Sequence, residues 1–287
     1  MYPEKRAAGS GKPAEAIRKT GNTERPERTA APSPPAGNTA TGTLKLAALA
    51  FMLIDHLGAV VFPRIPEMRI LGRIAFPIYC WCMVVGFHYT RSVPRYLGRI
   101  LLTGIISQPL YAFVMNHMGQ SGILWRDLFL TKPNIFLTLL LGLAALWGIR
   151  EKKLLSHLWA PAAAIFLATV LNADYGWKGV LFILLLYAAR STRPAIAAVM
   201  IAFFLYWGTA YRVTGSLLGI PFDVGKLPAW IGSPLSAFLR LETYGLLALP
   251  FLLIPFRRNI RLPAWAAYGL YPAHLLVVLL VKTLVLR

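Results

Sequence analysis

The sequence predicts an all-α fold, a polytopic membrane bundle of about nine transmembrane helices (eight to ten) with a cytoplasmic amino terminus. Three observations carry that expectation. Of 287 residues, 57% are hydrophobic and only 14% charged, against roughly a quarter charged in a soluble chain. Several apolar stretches reach the ~20 residues that a helix needs to cross a ~30 Å hydrocarbon layer. The cations behind the formal net charge of +19 fall mostly in short loops between those stretches, where they set orientation. Scattered in this way they argue against a nucleic-acid partner and for a lipid bilayer as the surface the chain meets.

Residues 1–43 are a different material, rich in Pro, Gly, Ala, Thr and charge, with Tyr2 as their one aromatic. Such a segment buries too little apolar area to offset its ordering entropy, so a disordered cytoplasmic tail is expected. No compact apolar run with a cleavage site lies near the start, and the first helix is expected to act as its own membrane address.

The transmembrane domain, residues 44–287, is then read in order. The first span, 44–62, is apolar beyond Lys45 at its start except for Asp55 and His56 in "FMLIDHLGAV". The second, 70–90, carries Arg73 in "LGRIAFPIY", and the third, 94–116, carries Gln108. The fourth, 133–149, opens at Asn134. The fifth and sixth, 155–172 and the short 176–190, flank the turn "ADYGWKG" with Asp174 and Lys178. The seventh covers 193–211. Residues 212–237 are expected to hold a re-entrant or interfacial piece. The eighth, 238–256, precedes a ninth, 263–285, which contains Tyr271 and His274.

Loop charge gives the orientation. With the tail inside, the cytoplasmic loops carry Arg91, Arg95 and Arg99; Arg150, Lys152 and Lys153; Arg190 and Arg193; and Arg257, Arg258 and Arg261. The opposite loops carry fewer cations and hold Glu67, Asp127, Asp174 and Asp223. The excess of Lys and Arg on one side places the amino terminus in and the carboxyl terminus out.

Depth follows from a rise of about 1.5 Å per residue. Asp55, His56, Arg73, Gln108, Asn134, Asp174, Lys178 and His274 are all assigned to the outer half of the membrane. Ionisable groups at such depth are costly and face a bundle interior or a wet cavity. Asp55 and His56 are adjacent and about 100° apart on a helix, so His56 is expected to face the cavity while Asp55 turns to a partner such as Arg73. Pro77 has no N–H to offer the carbonyl of Arg73, and Pro109 and Pro272 break the ladder beside Gln108 and His274. Three interrupted helices with polar groups at one depth imply a cavity. The cysteines, Cys80 and Cys82, point about 200° apart and read as buried hydrophobes. No zinc-ligand spacing, phosphate loop, dinucleotide fingerprint or nucleophile elbow is present, and no metal is expected.

The motifs "KLAALAFMLIDHLG", "LGRIAFPIY", "FHYTRSVPRYLGRILLTGIISQPLY", "NIFLTLLLGL", "DYGWKGVLFILLLYAAR" and "LYPAHL" occur in this order over about residues 44–280. Together they resemble the TraX family of bacterial inner-membrane proteins, named for the conjugative F-pilus acetylase. A more distant likeness is to the membrane acyltransferase-3 group, on His56 and on "YPAH", Tyr271 to His274. The resemblance implies acetyl transfer from acetyl-CoA, as acyl donor, to a pilin amino terminus or another envelope acceptor. It implies His56 as general base, with Asp55 and Arg73 completing the catalytic set. Gln108, Asn134, Asp174, Lys178, Tyr271 and His274 are the expected acceptor or pantetheine contacts. Arg91, Arg95 and Lys152 are the expected cytoplasmic contacts for CoA phosphates. An O-acyltransferase acting on an envelope glycan or lipid would use the same groups. A transporter with an Asp–His–Arg proton relay, and a non-catalytic pilin assembly factor, are the readings from other classes.

Overall fold

The computed structural model of the protein describes residues 33–117, 120, 122–130, 132–208, 215–217, 220, 221 and 223–285. Among these, five helices are long and apolar enough to cross a membrane: Thr41–Val60, Pro66–Tyr89, Val93–His117, Lys153–Val170 and Trp265–Val285. Three shorter apolar helices, Gly176–Ala189, Arg193–Gly208 and Leu241–Leu253, fall within predicted spans. With Ile135–Glu151 in the fourth, each of the nine predicted segments contains helix among its described residues, and five of them have spanning length.

The chain opens with α1 (Thr41–Val60) and α2 (Pro66–Gly72). A turn at Arg73 and Ile74 separates α2 from α3 (Ala75–Tyr89). Pro77 in the first turn of α3 cannot donate to the Arg73 carbonyl, which interrupts the hydrogen-bond ladder while the backbone stays helical through Arg73 and Ile74. Next comes α4 (Val93–Ala112), which contains Pro109 and continues as a π-helical turn, Phe113–His117. A short α5 (Trp125–Leu130) leads to α6 (Ile135–Glu151). Asn134 caps α6, its side chain accepting from the Phe136 N–H at 3.0 Å, the usual way an Asn satisfies one orphan donor of the first turn.

The bundle continues with α7 (Ser156–Val170), α8 (Gly176–Ala189) and α9 (Arg193–Gly208). The described residues of the 212–237 stretch form a two-residue antiparallel pair, Ser216–Leu217 with Ile220–Pro221, and a 3-10 turn, Val224–Lys226. They are followed by α10 (Ala229–Phe238), whose ten residues are too short to span. A 3-10 segment, Leu241–Ala248, runs into α11 (Leu249–Leu253). The last helix, α12 (Ala264–Val285), contains Pro272.

At the centre stands α3. It is apolar all round, as a helix buried on every side must be; Ile78, Cys80, Trp81 and Val84 have no exposed surface. Both cysteines are free and buried, as expected. Around α3 pack α1, α6 and α8, while α12 leans on α1 and α4.

The compact unit that holds the helices begins at Pro34. Asn38 is fully buried. Its side chain donates to the Phe251 carbonyl at 3.0 Å and its own carbonyl accepts from Trp81 Nε1 at 2.7 Å. The segment before α1 therefore straps α3 to α11, and its order comes from hydrogen bonds where apolar burial is scarce. The rest of the expected tail, residues 1–32, lies outside the described residues.

Candidate functional site

A polar cavity of about 300 Å³ opens where the carboxyl-terminal ends of α1, α4 and α9 meet the starting ends of α3, α6 and α8. Antiparallel neighbours bring alternate ends to one level, which is why residues far apart in sequence converge there. Asp55, His56, Arg73, Asp174 and Tyr271, all nominated from sequence, line it together with Arg69, Lys132 and Glu242. Phe76, Tyr111, Tyr175 and Trp207 supply an aromatic wall; the Phe76 and Tyr175 rings stack at 3.7 Å.

The charged groups form a chain. Asp55 Oδ2 accepts from Arg69 Nη1 at 2.6 Å and Asp55 Oδ1 from Arg73 Nη2 at 2.7 Å. The other terminal nitrogen of Arg73, Nη1, donates to Glu242 Oε1 at 3.0 Å, and its Nε to the Arg69 carbonyl at 3.3 Å. Two guanidinium and two carboxylate groups thus balance in formal charge. Buried ions are tolerated only when paired and hydrogen-bonded in this way. Glycine at position 72 leaves room for the Asp55 carboxylate, which a Cβ there would displace.

His56 is buried beside this chain. Its Nδ1 lies 2.9 Å from Nε2 of His274 in α12, with the two ring centroids 5.0 Å apart. His274 packs edge-on against Tyr271 at 4.9 Å, and Tyr271 against Phe136 at 4.6 Å. Asp55 turns to Arg73, the partner expected for it, and His56 faces the cavity. Both line the cavity, which wraps far enough around α1 to meet two faces 100° apart.

Other nominated residues lie elsewhere. Gln108 and Asn134 knit α4 to α6: Gln108 Oε1 accepts from the Asn134 N–H at 2.9 Å, and Asn134 Nδ2 donates to the Gly104 carbonyl at 2.9 Å. They line a separate apolar crevice between those helices, and the cavity containing His56 is walled without them. Lys178 lies over the rings of Trp177 and Tyr206 at 5.8 and 5.4 Å, likewise outside that wall. Asp174 is paired with Lys132 at 2.8 Å.

A second, apolar cavity of about 70 Å³ adjoins the first, the two sharing Tyr271 and Ile135 as wall residues. It runs between α1, α3, α4, α6 and α12 and is edged by Lys45, Tyr96 and Tyr268. Arg91, Arg95 and Lys152 are exposed and line neither cavity. No group of His, Cys, Asp and Glu that could hold a metal ion occurs among the described residues.

Sequence reasoning missed Arg69, Lys132 and Glu242. Arg69 had a signal, since it precedes Arg73 by one turn and shares its helical face. Glu242 had none at short range; its partner is 169 residues away.

The TraX protein family matches residues 40–282, the whole bundle from the start of α1 almost to the end of α12. The chain belongs to the TraX family. It is 32% identical over 147 residues to a probable fimbrial assembly protein FimC, serogroup H1, of Dichelobacter nodosus, covering 50% of this chain and 59% of that protein. It is 33% identical over 108 residues to an uncharacterized protein of Rickettsia prowazekii (strain Madrid E), covering 38% of this chain and 37% of the other. The chain thus spans less than two thirds of either relative. No solved structure matches it. Its five long apolar helices are, by length and composition, those of a membrane protein.

Proposed function

We propose that this TraX protein is an acetyltransferase of the bacterial inner membrane, multi-pass with its amino terminus inside. It moves acetyl from acetyl-CoA to an envelope-side acceptor, first among them the amino-terminal amine of a pilin subunit. The observation that carries this reading is His56: Nδ1 is engaged by His274, while Nε2 has no hydrogen bond to a described residue and the side chain borders a polar cavity. A neutral imidazole with one nitrogen facing a cavity can take the proton of an acceptor that reacts there. The fimbrial relative favours a protein acceptor over a glycan.

In the transfer, His56 Nε2 takes the proton of the acceptor nitrogen as that nitrogen bonds to the thioester carbonyl carbon. The carbon–sulfur bond then breaks, and the proton passes from Nε2 to the departing thiolate. The carbonyl oxygen gains charge on the way and needs donors. Both terminal nitrogens of Arg73 are committed to carboxylates, whereas Arg69 uses Nη1 alone toward Asp55. Arg69 therefore serves as the oxyanion donor, and Asp55, Arg73 and Glu242 hold it in place.

The donor's thioester arm enters along the apolar cavity, which leads from Lys45 to Tyr271 beside His56 and, at about 70 Å³, widens to take it. Lys45 lies 11 residues before His56 on α1, about 16 Å along the axis, and meets a phosphate better than Arg91, Arg95 or Lys152 can.

The test compares cells making wild type with cells making His56→Ala at matched membrane levels, by intact-mass spectrometry of envelope proteins and glycans. An acetyl-sized mass lost from a pilin-like protein supports the proposal. Loss from a glycan turns it to O-acylation, and equal acetylation in both strains removes His56 from the reaction.

A further inference from the structure

The contact between the two buried histidines has a direction. His274 Nδ1 is buried and makes no hydrogen bond of ordinary geometry; the ring interacts with the backbone carbonyls of Leu270 and Tyr271, one turn back on α12, the side toward which a helical side chain leans. Carbonyl oxygens only accept. A bare nitrogen lone pair aimed at them would be repelled, so the proton of a neutral His274 belongs on Nδ1. That leaves His274 Nε2 as an acceptor, and the 2.9 Å contact must be filled by a proton on His56 Nδ1.

From this arrangement we infer that His274 is a positioning residue for the acid–base centre. It accepts a hydrogen bond from His56 Nδ1–H, fixes His56 in the Nδ1–H tautomer and leaves the Nε2 lone pair toward the cavity. The inference rests on the reading of His56 as the base and assigns His274 a role other than substrate contact. The partner of a catalytic imidazole fixes its tautomer and orientation, the task a carboxylate performs in hydrolase triads. A neutral imidazole does it here because the nearby carboxylates, Asp55 and Glu242, are taken up by Arg69 and Arg73.

Packing supports the assignment. His274 is 4% exposed, and Tyr271 stands edge-on against its ring at 4.9 Å. The two imidazoles meet edge to edge with their planes 23° apart, so the Nδ1–Nε2 contact holds the His56 ring in one orientation. When His56 Nε2 takes up a proton, the charge is shared along the Nδ1–H bond with His274. When the thiolate leaves, Nε2 returns that proton and the pair is neutral again.

The test is nitrogen NMR of full-length protein in detergent, labelled at histidine, with His56 assigned by its loss in His56→Gln. Wild type should show His56 protonated at Nδ1 and bare at Nε2. His274→Gln, whose amide oxygen can occupy the position of Nε2, should keep that tautomer. His274→Ala should shift His56 toward the Nε2–H form. An Nε2–H form in wild type, or an unchanged His56 in His274→Ala, overturns the inference. None of these outcomes depends on acetyl transfer. Where transfer is measured, His274→Gln should retain at least ten times the kcat of His274→Ala.

Discussion

Asp55 and Arg73 meet at 2.7 Å between α1 and the start of α3, and the opposite edge of the same guanidinium holds Glu242 at 3.0 Å. All three side chains are about nine-tenths buried. Arg73 is thus shared between two carboxylates from distant parts of the chain, and its loss strands Glu242 outright while Asp55 keeps Arg69. Removing one member of a buried ion pair costs about 3–5 kcal/mol. Arg73→Met should therefore lower the thermal midpoint strongly in detergent. Arg73→Met with Glu242→Gln should recover a large part of that loss, because the stranded charge goes with its partner. Additive losses in this double-mutant cycle would show that the two residues do not interact.

Gly72 gives a second, independent probe of the same carboxylate. Its Cα lies so close to Asp55 that any Cβ must push the side chain aside. Overpacking of this kind costs about 1–3 kcal/mol. Gly72→Ala should reduce acetyl transfer beyond its modest effect on stability, since Asp55 orients Arg69 through two contacts. Transfer unchanged in a folded Gly72→Ala would separate Asp55 from the reaction.

Much of this site was legible because a charge inside an apolar run stands out. Asp55, His56, Arg73 and His274 were marked by that rule alone, and helical rise placed them at one level. Arg69 and Lys132 escaped because they lie at the ends of apolar segments, where a cation reads equally well as a topology signal. Glu242 begins a 3-10 segment after α10, and no local pattern announces a partner 169 residues upstream. Gln108 and Asn134 were placed at a sensible depth but misjudged in use. A polar side chain that caps or bridges a helix looks the same in sequence as one that faces a substrate, although the Pro-Asn just before an apolar run at 133–134 was an N-cap signal.

The strap before α1 should matter for folding out of proportion to its length. Asn38 is fully buried, and besides its contacts to Phe251 and Trp81 its Oδ1 accepts from the Ala40 N–H at 3.0 Å. Asn38→Ala leaves the Phe251 carbonyl and the Ala40 amide without these partners, at about 1–3 kcal/mol for each group left buried and unpaired. The thermal midpoint should fall, and protease sensitivity should rise first at the ends of α3 and α11. A variant as stable as wild type would make the strap incidental.

The apolar cavity makes a sharper demand on the donor. If the thioester arm lies between Lys45 and Tyr271, the cation that meets the donor's phosphates is Lys45, the one cation among the residues lining that cavity. The exposed Arg91 and Arg95 are left to meet lipid headgroups. A phosphate contact made equally in ground state and transition state changes KM and leaves kcat alone. Lys45→Gln should therefore raise the KM for acetyl-CoA about tenfold with kcat within a factor of two. Arg91→Gln and Arg95→Gln should leave both constants near wild type. The wild-type KM should also rise with salt as the charge contact is screened over about 8 Å at physiological ionic strength, and that dependence should flatten in Lys45→Gln. A large KM effect from Arg91 or Arg95 instead of Lys45 would move the donor out of the apolar cavity and onto the surface of α4.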